Sequence, residues 1–129
     1  MIAADEALVR GCNLPSDYRS RGVSQMAVFA ESGYRANRSA VGIEAIRKYI
    51  AENPGLVGDW MGYSEDKRSG GWYFAPGSIE GFFIVGGSRE TEQKYSDRFE
   101  ACAVFIKHEL ERMASYEERV AKLYDKNPR

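Results

Sequence analysis

The 129-residue sequence predicts an α+β fold: N-terminal helices, a four-stranded antiparallel β-meander, and a long C-terminal helix packed on the sheet. Three observations predict it. Apolar residues recur at helical spacing before residue 52 and again after residue 97. Between them, Trp60 to Tyr95 is dense in aromatic and β-branched residues, which suit a pleated, half-buried surface. Turn-forming clusters then cut that stretch into short pieces, at Ser64 to Gly71, Pro76-Gly77-Ser78 and Gly86-Gly87-Ser88. No internal repeat or linker interrupts the chain, and its length is that of one domain, so residues 1–129 are read as a single unit.

Taken in order, Asp5 to Arg10 predicts a short helix stopping at Gly11, and Asn13-Leu14-Pro15 a break. Ser24 is positioned to cap a helix carrying Met26, Ala27, Phe29 and Ala30, with Gly33 as its stop. Ser39 is read as the cap of a helix with Val41, Ile43, Ala45, Ile46, Tyr49 and Ile50 on one face, and Asn53-Pro54-Gly55 ends it. Four strands follow at about 58–64, 71–75, 81–86 and 90–96, paired consecutively because their connections are short. The continuous apolar run Gly81 to Val85 suits a central strand covered on both faces. Asp97, with Glu100 three residues on, fits a capping box that opens a helix from Arg98 to Tyr124. Its stripe is Phe99, Cys102, Ala103, Ile106, Leu110, Met113, Val120 and Leu123, and Asn127-Pro128-Arg129 reads as a frayed end.

Charge and composition exclude several functions. Hydrophobic residues at 43% and charged residues at 29% argue against disorder. Eighteen basic and nineteen acidic residues leave no basic excess of the kind that phosphate neutralisation requires, so no nucleic acid is expected. Arg35, Arg38, Arg47 and Lys48 cluster in sequence, but Glu31, Glu44 and Glu52 dilute them. No apolar run approaches the ~20 residues that span a bilayer. Met1 to Arg10 carries Asp5 and Glu6 with no apolar segment after it, so a cytoplasmic protein with free Cys12 and Cys102 is expected.

No pattern reads as a catalytic centre. Cys102 and the only histidine, His108, share a predicted helix but lie about 120° apart around it. One histidine and two distant cysteines cannot furnish a zinc site, and no calcium loop is present, so no metal or cofactor is expected. The paired carboxylates Glu65-Asp66 and Glu90/Glu92 sit among polar residues and read as solvated. The Gly70-Gly71 and Gly86-Gly87 loops lead into strands, not helix N-termini, and read as hairpin turns. What remains is the rim from Tyr63 to Trp72, where Glu65, Asp66 and Arg68 stand between aromatics of the kind enriched in binding hot spots.

The segments Gly71-Trp72-Tyr73-Phe74, Phe82-Phe83-Ile84-Val85 and Tyr95-Ser96-Asp97-Arg98-Phe99-Glu100-Ala101-Cys102-Ala103-Val104-Phe105-Ile106 resemble a pattern in small bacterial immunity proteins of polymorphic or contact-dependent toxin systems. There a Trp-bearing strand enters a short meander whose last strand runs through an acidic cap into a helix. The resemblance covers the central and C-terminal parts and leaves out the N-terminal helices. It implies a non-catalytic protein, a monomer or weak homodimer, that neutralises a cognate toxin domain by direct binding. The partner-binding residues are then expected to be Glu65, Asp66, Glu90 and Glu92 for steering, with Tyr63, Trp72 and Arg68 as anchors. Two other readings stay open. One is a ligand-binding or enzymatic domain that holds an anionic metabolite through Tyr34, Arg35, Arg38 and Lys67. The other is an oligomeric adaptor that assembles through Met113 to Tyr124.

Overall fold

The computed structural model of the chain describes residues 2–67 and 71–125. Arg68, the Ser69-Gly70 part of the expected hairpin turn and the expected frayed end at 127–129 lie outside the described residues. The fold is α+β. Helices α1 (Ala4–Cys12), α2 (Leu14–Arg21), α3 (Gln25–Glu31), α4 (Ile43–Glu52) and α5 (Gly55–Asp66) precede strands β1 (Tyr73–Pro76), β2 (Phe83–Gly86) and β3 (Gln93–Tyr95). Helix α6 (Arg98–Asp125) closes the described chain. Among the described residues no helix is long and apolar enough to cross a membrane.

The sheet has three strands, not four, in the antiparallel order β1-β2-β3. Phe74 is opposite Val85, and Ile84 is opposite Lys94. The strand expected at 58–64 lies inside helix α5. Leu56, Val57, Trp60 and Tyr63 are its buried residues. Their spacing of i, i+1, i+4 and i+7 is one helical face, and Gly58, Asp59 and Gly62 between them are poor strand formers. Here tertiary burial outweighed the strand preference of isolated Trp and Tyr residues. Pro54, with φ −65°, both ends α4 and enters α5, because its fixed φ suits a helix start.

Other boundaries shift for local reasons. Gly11 does not stop α1; it lies inside it, where a Cβ would stand 3.2 Å from the Leu110 side chain of α6. The missing side chain lets the two helices approach. Asn13-Leu14-Pro15 is a break that immediately starts α2, with Pro15 in its first turn, where no N–H is needed. Gly42, in extended conformation, and not Ser39, precedes the first turn of α4. Ser24 does cap α3, its hydroxyl accepting the Ala27 N–H at 3.1 Å. Asp97 caps α6, accepting the N–H groups of Phe99 at 2.9 Å and Glu100 at 3.3 Å, and it also receives the Arg47 guanidinium from α4.

Helix α6 packs against α4 more extensively than against the sheet. Its buried residues run from Ala101 through Cys102, Phe105, Ile106 and Leu110 to Met113 and Ala114. Phe74 and Val85 turn the inner face of the sheet into the same core as Phe29, Ile46, Ile50 and Trp60. The expectation that β2 is covered on both faces fails. Phe82 is 40% exposed and Ile84 only half-buried, because alternation sends them to the outer face, which no helix covers among the described residues.

Candidate functional site

Among the described residues, two places bear most directly on function. The first is a buried charged cluster. Helix α5 ends by delivering Tyr63 and Lys67, and α6 supplies Glu109 and Arg112 from successive turns. The Glu109 side chain is fully buried and that of Lys67 is 7% exposed. Lys67 Nζ donates to Glu109 Oε2 at 3.0 Å, and Arg112 donates to Oε1 at 3.2 Å. The Tyr63 hydroxyl lies 2.9 Å from Glu109 Oε1 and 2.8 Å from the Gln25 amide oxygen. Its one proton goes to the carboxylate, the stronger acceptor. Burial and then the Glu109 charge hold the Tyr63 hydroxyl well above the usual phenol range.

Lys67 also donates to the Trp72 carbonyl at 2.8 Å, joining the end of α5 to the residue before β1. Trp72 is in turn wedged. Its indole stacks on His108 with centroids 3.6 Å apart and planes 8° from parallel, and the backbone of Gly87 lies against it. A carboxylate, an ammonium, a phenol and an imidazole thus share one neighbourhood. The described members are occupied with one another. Among the described residues no buried side-chain nitrogen or oxygen lacks a hydrogen-bond partner. The arrangement locks α5, β1 and α6 together.

His108 gives this cluster a pH dependence. Its partial burial lowers its pKa from the ordinary value, against the opposing Glu109 charge. The unfolded chain therefore binds more protons below about pH 6.5, so stability is complete above that value and declines as pH falls through the folded pKa. Urea titrations between pH 7 and 5 should show this slope. It should flatten in His108→Phe, which keeps the stack; an unchanged slope would place the effect elsewhere.

The cysteines belong to the core. Both are fully buried and free. Burial pushes the Cys12 thiol up to about 12, and burial together with the nearby Cys12 raises Cys102 further. Since the thiolate is the reactive form, a thiol reagent at pH 7.5 should leave the native protein unlabelled over many minutes and titrate both thiols in denaturant. Rapid labelling of either in buffer would contradict the buried placement.

The described residues among those expected to bind a partner do not share one surface. Tyr63 is core, committed to Glu109. Trp72 is wedged as described. Glu65 and Asp66 are exposed at the end of α5, where Asp66 pairs with Arg19 at 3.1 Å. Glu90 is exposed on the 3-10 turn Arg89–Thr91, and Glu92 follows it into β3. Because α5 flanks β1, the two acidic pairs stand at opposite edges of the sheet. Nor are Tyr34, Arg35, Arg38 and Lys67 gathered for an anion. Arg38 pairs with Glu111 at 3.0 Å and with Glu118 at 3.2 Å, Arg35 lies 3.6 Å from Glu117, and Lys67 belongs to the other cluster.

The second place went unnoticed in the sequence. On the outer face of the sheet, Ile79, Phe82 and Ile84 line a cup of about 180 Å³ with Gly77, Ser78, Glu92 and Lys94. Ile79 is 55% exposed. Gly86 makes the adjoining surface possible. Without a side chain on the central strand, the Tyr73 hydroxyl reaches across to donate to Glu92 at 2.5 Å, and a Cβ on Gly86 would meet the Glu92 backbone at 2.8 Å. The readable signal was the alternation of Phe82 with Ile84 and the large apolar Ile79 inside a turn. Comparison of the chain with protein-family models, curated proteins and solved structures finds no match.

Proposed function

We propose that this chain is a non-catalytic binding protein of the immunity type, which neutralises a cognate toxin domain in the bacterial cytoplasm by direct contact through the outer face of its sheet. One observation carries the reading: the cup of Ile79, Phe82 and Ile84, an apolar concavity open to solvent and edged by Glu92 and Lys94. Exposed apolar concavities with polar rims are favoured places for a partner's anchor side chain. Glu92 lines its edge, so of the acidic residues expected to steer a basic toxin this one is the best placed. Tyr63 and Trp72 leave the list of anchors, and Phe82 and Ile79 take their place. The pairing of Arg35 and Arg38 with α6 carboxylates weighs against the anionic-metabolite reading.

The test is capture of the toxin domain encoded beside this gene. Wild-type protein is expected to form a stable complex and to protect cells from that toxin. Phe82→Asp, at an exposed position, is expected to melt like the wild type and to lose both properties. No complex and no protection with the wild-type protein would sink the proposal.

A further inference from the structure

The two edges of the sheet differ. On β1, the Phe74 N–H is taken by the Ser64 hydroxyl of α5 at 2.8 Å, so that edge is covered. On β3, no strand pairs with the outer side among the described residues, and Gln93 and Lys94 are exposed. An open strand edge is a template for another strand. Nature usually blunts such an edge with a lysine, because antiparallel self-pairing sets like charges close together. Here the sequence around the edge is Glu92-Gln93-Lys94. Antiparallel pairing of β3 with itself about Gln93 sets Glu92 opposite Lys94 of the second copy, and Lys94 opposite its Glu92. The like-charge obstacle becomes two cross-strand ion pairs.

We infer that two copies of this chain join antiparallel through β3, about a two-fold axis at Gln93, into one six-stranded sheet. Three features fit this geometry. Glu92, extended immediately before β3, and Lys94 within it lie two residues apart and both line the outer-face cup, so both pairs form on the same side. Neither residue has an ion-pair partner within 4.0 Å among the described residues; Glu92 receives the neutral Tyr73 hydroxyl. The connection before β3 is closed on itself as a turn, the Thr91 hydroxyl taking the N–H groups of Gly87 and Ser88. A two-fold axis perpendicular to the sheet leaves both apolar cups on one continuous face. The dimer is therefore bivalent, and a partner with two matching sites would be held more tightly than by one cup.

Sedimentation equilibrium of the full chain from about 10 µM to 1 mM tests this, with charge reversals at the two pairing positions. The apparent mass of the wild type should rise with concentration towards twice that of the monomer. Glu92→Lys and Lys94→Glu should each weaken association by about tenfold or more, since each turns two attractions into two repulsions. The double reversal should restore it to within a few-fold of the wild type. Circular dichroism melts confirm that each variant is folded. A wild type that stays monomeric at 1 mM overturns the inference, and so does a folded double variant that fails to recover. Toxin capture is read separately through Phe82, outside β3, so failure of the dimer leaves that reading intact.

Discussion

Replacing Glu109 by leucine should destabilise the protein by about 3–5 kcal/mol, because it strands the buried Lys67 ammonium without its counter-charge. The Tyr63 hydroxyl and Arg112 also lose their acceptor, although Arg112 is about a third exposed and can turn towards water. The companion substitution is the sharper test. Lys67→Met together with Glu109→Leu removes both charges and retains apolar volume, and buried pairs replaced in this way are often neutral. The double variant should therefore be more stable than Glu109→Leu alone, in urea titrations at pH 7. A double variant as weak as the sum of the two single ones would mean that the residues do not act as a pair. In the same variants the near-ultraviolet signal of Trp72 should change, since Lys67 holds the Trp72 carbonyl.

Trp60→Ala should cost about 3–5 kcal/mol through the cavity alone. The Trp60 ring is fully buried, edge-on to Tyr63 at 5.1 Å and to Phe105 at 6.1 Å. Its indole N–H donates to the Cys12 carbonyl at 2.8 Å, serving an acceptor at the end of α1 that water cannot reach. Trp60→Phe separates the two contributions. It keeps an aromatic ring but orphans the carbonyl, and should still cost at least ~1 kcal/mol. If Trp60→Ala changes stability by less than ~1 kcal/mol, Trp60 is not buried between the end of α1 and Phe105 of α6 as described.

Residues whose role is local were readable in the sequence. Ser24 and Asp97 cap helices because a short side-chain oxygen beside free N–H groups needs no distant partner. The 28-residue α6 and the β2–β3 pairing were visible for the same reason: period and turn chemistry are local properties. Residues 58–64 were misread because Trp and Tyr count towards strand in isolation, and only packing on β1 and α6 reveals a helical face. The Glu109 cluster could not be seen at all. It joins residues 25, 63, 67, 109 and 112, and a glutamate on an otherwise apolar helix face looks like any surface acid until its partners arrive. The cup was half legible, in the alternation of Phe82 and Ile84, but closing it takes Glu92 and Lys94 from the neighbouring strand.

Helix α6 belongs to two environments at once. Up to Ala114 it is the spine of the core; from Ser115 to Tyr124 its residues are exposed or half-buried, with Glu117 and Glu118 paired to Arg35 and Arg38. A helix of this length, ~42 Å at 1.5 Å per residue, outruns the domain that supports it. Amide hydrogens in its first half can exchange with deuterium only when the whole fold opens, whereas those near residue 120 exchange whenever the last turns fray. One unbroken element thus spans the range from global to local opening, and a proteolytic nick in its outer turns would remove backbone that the core does not use.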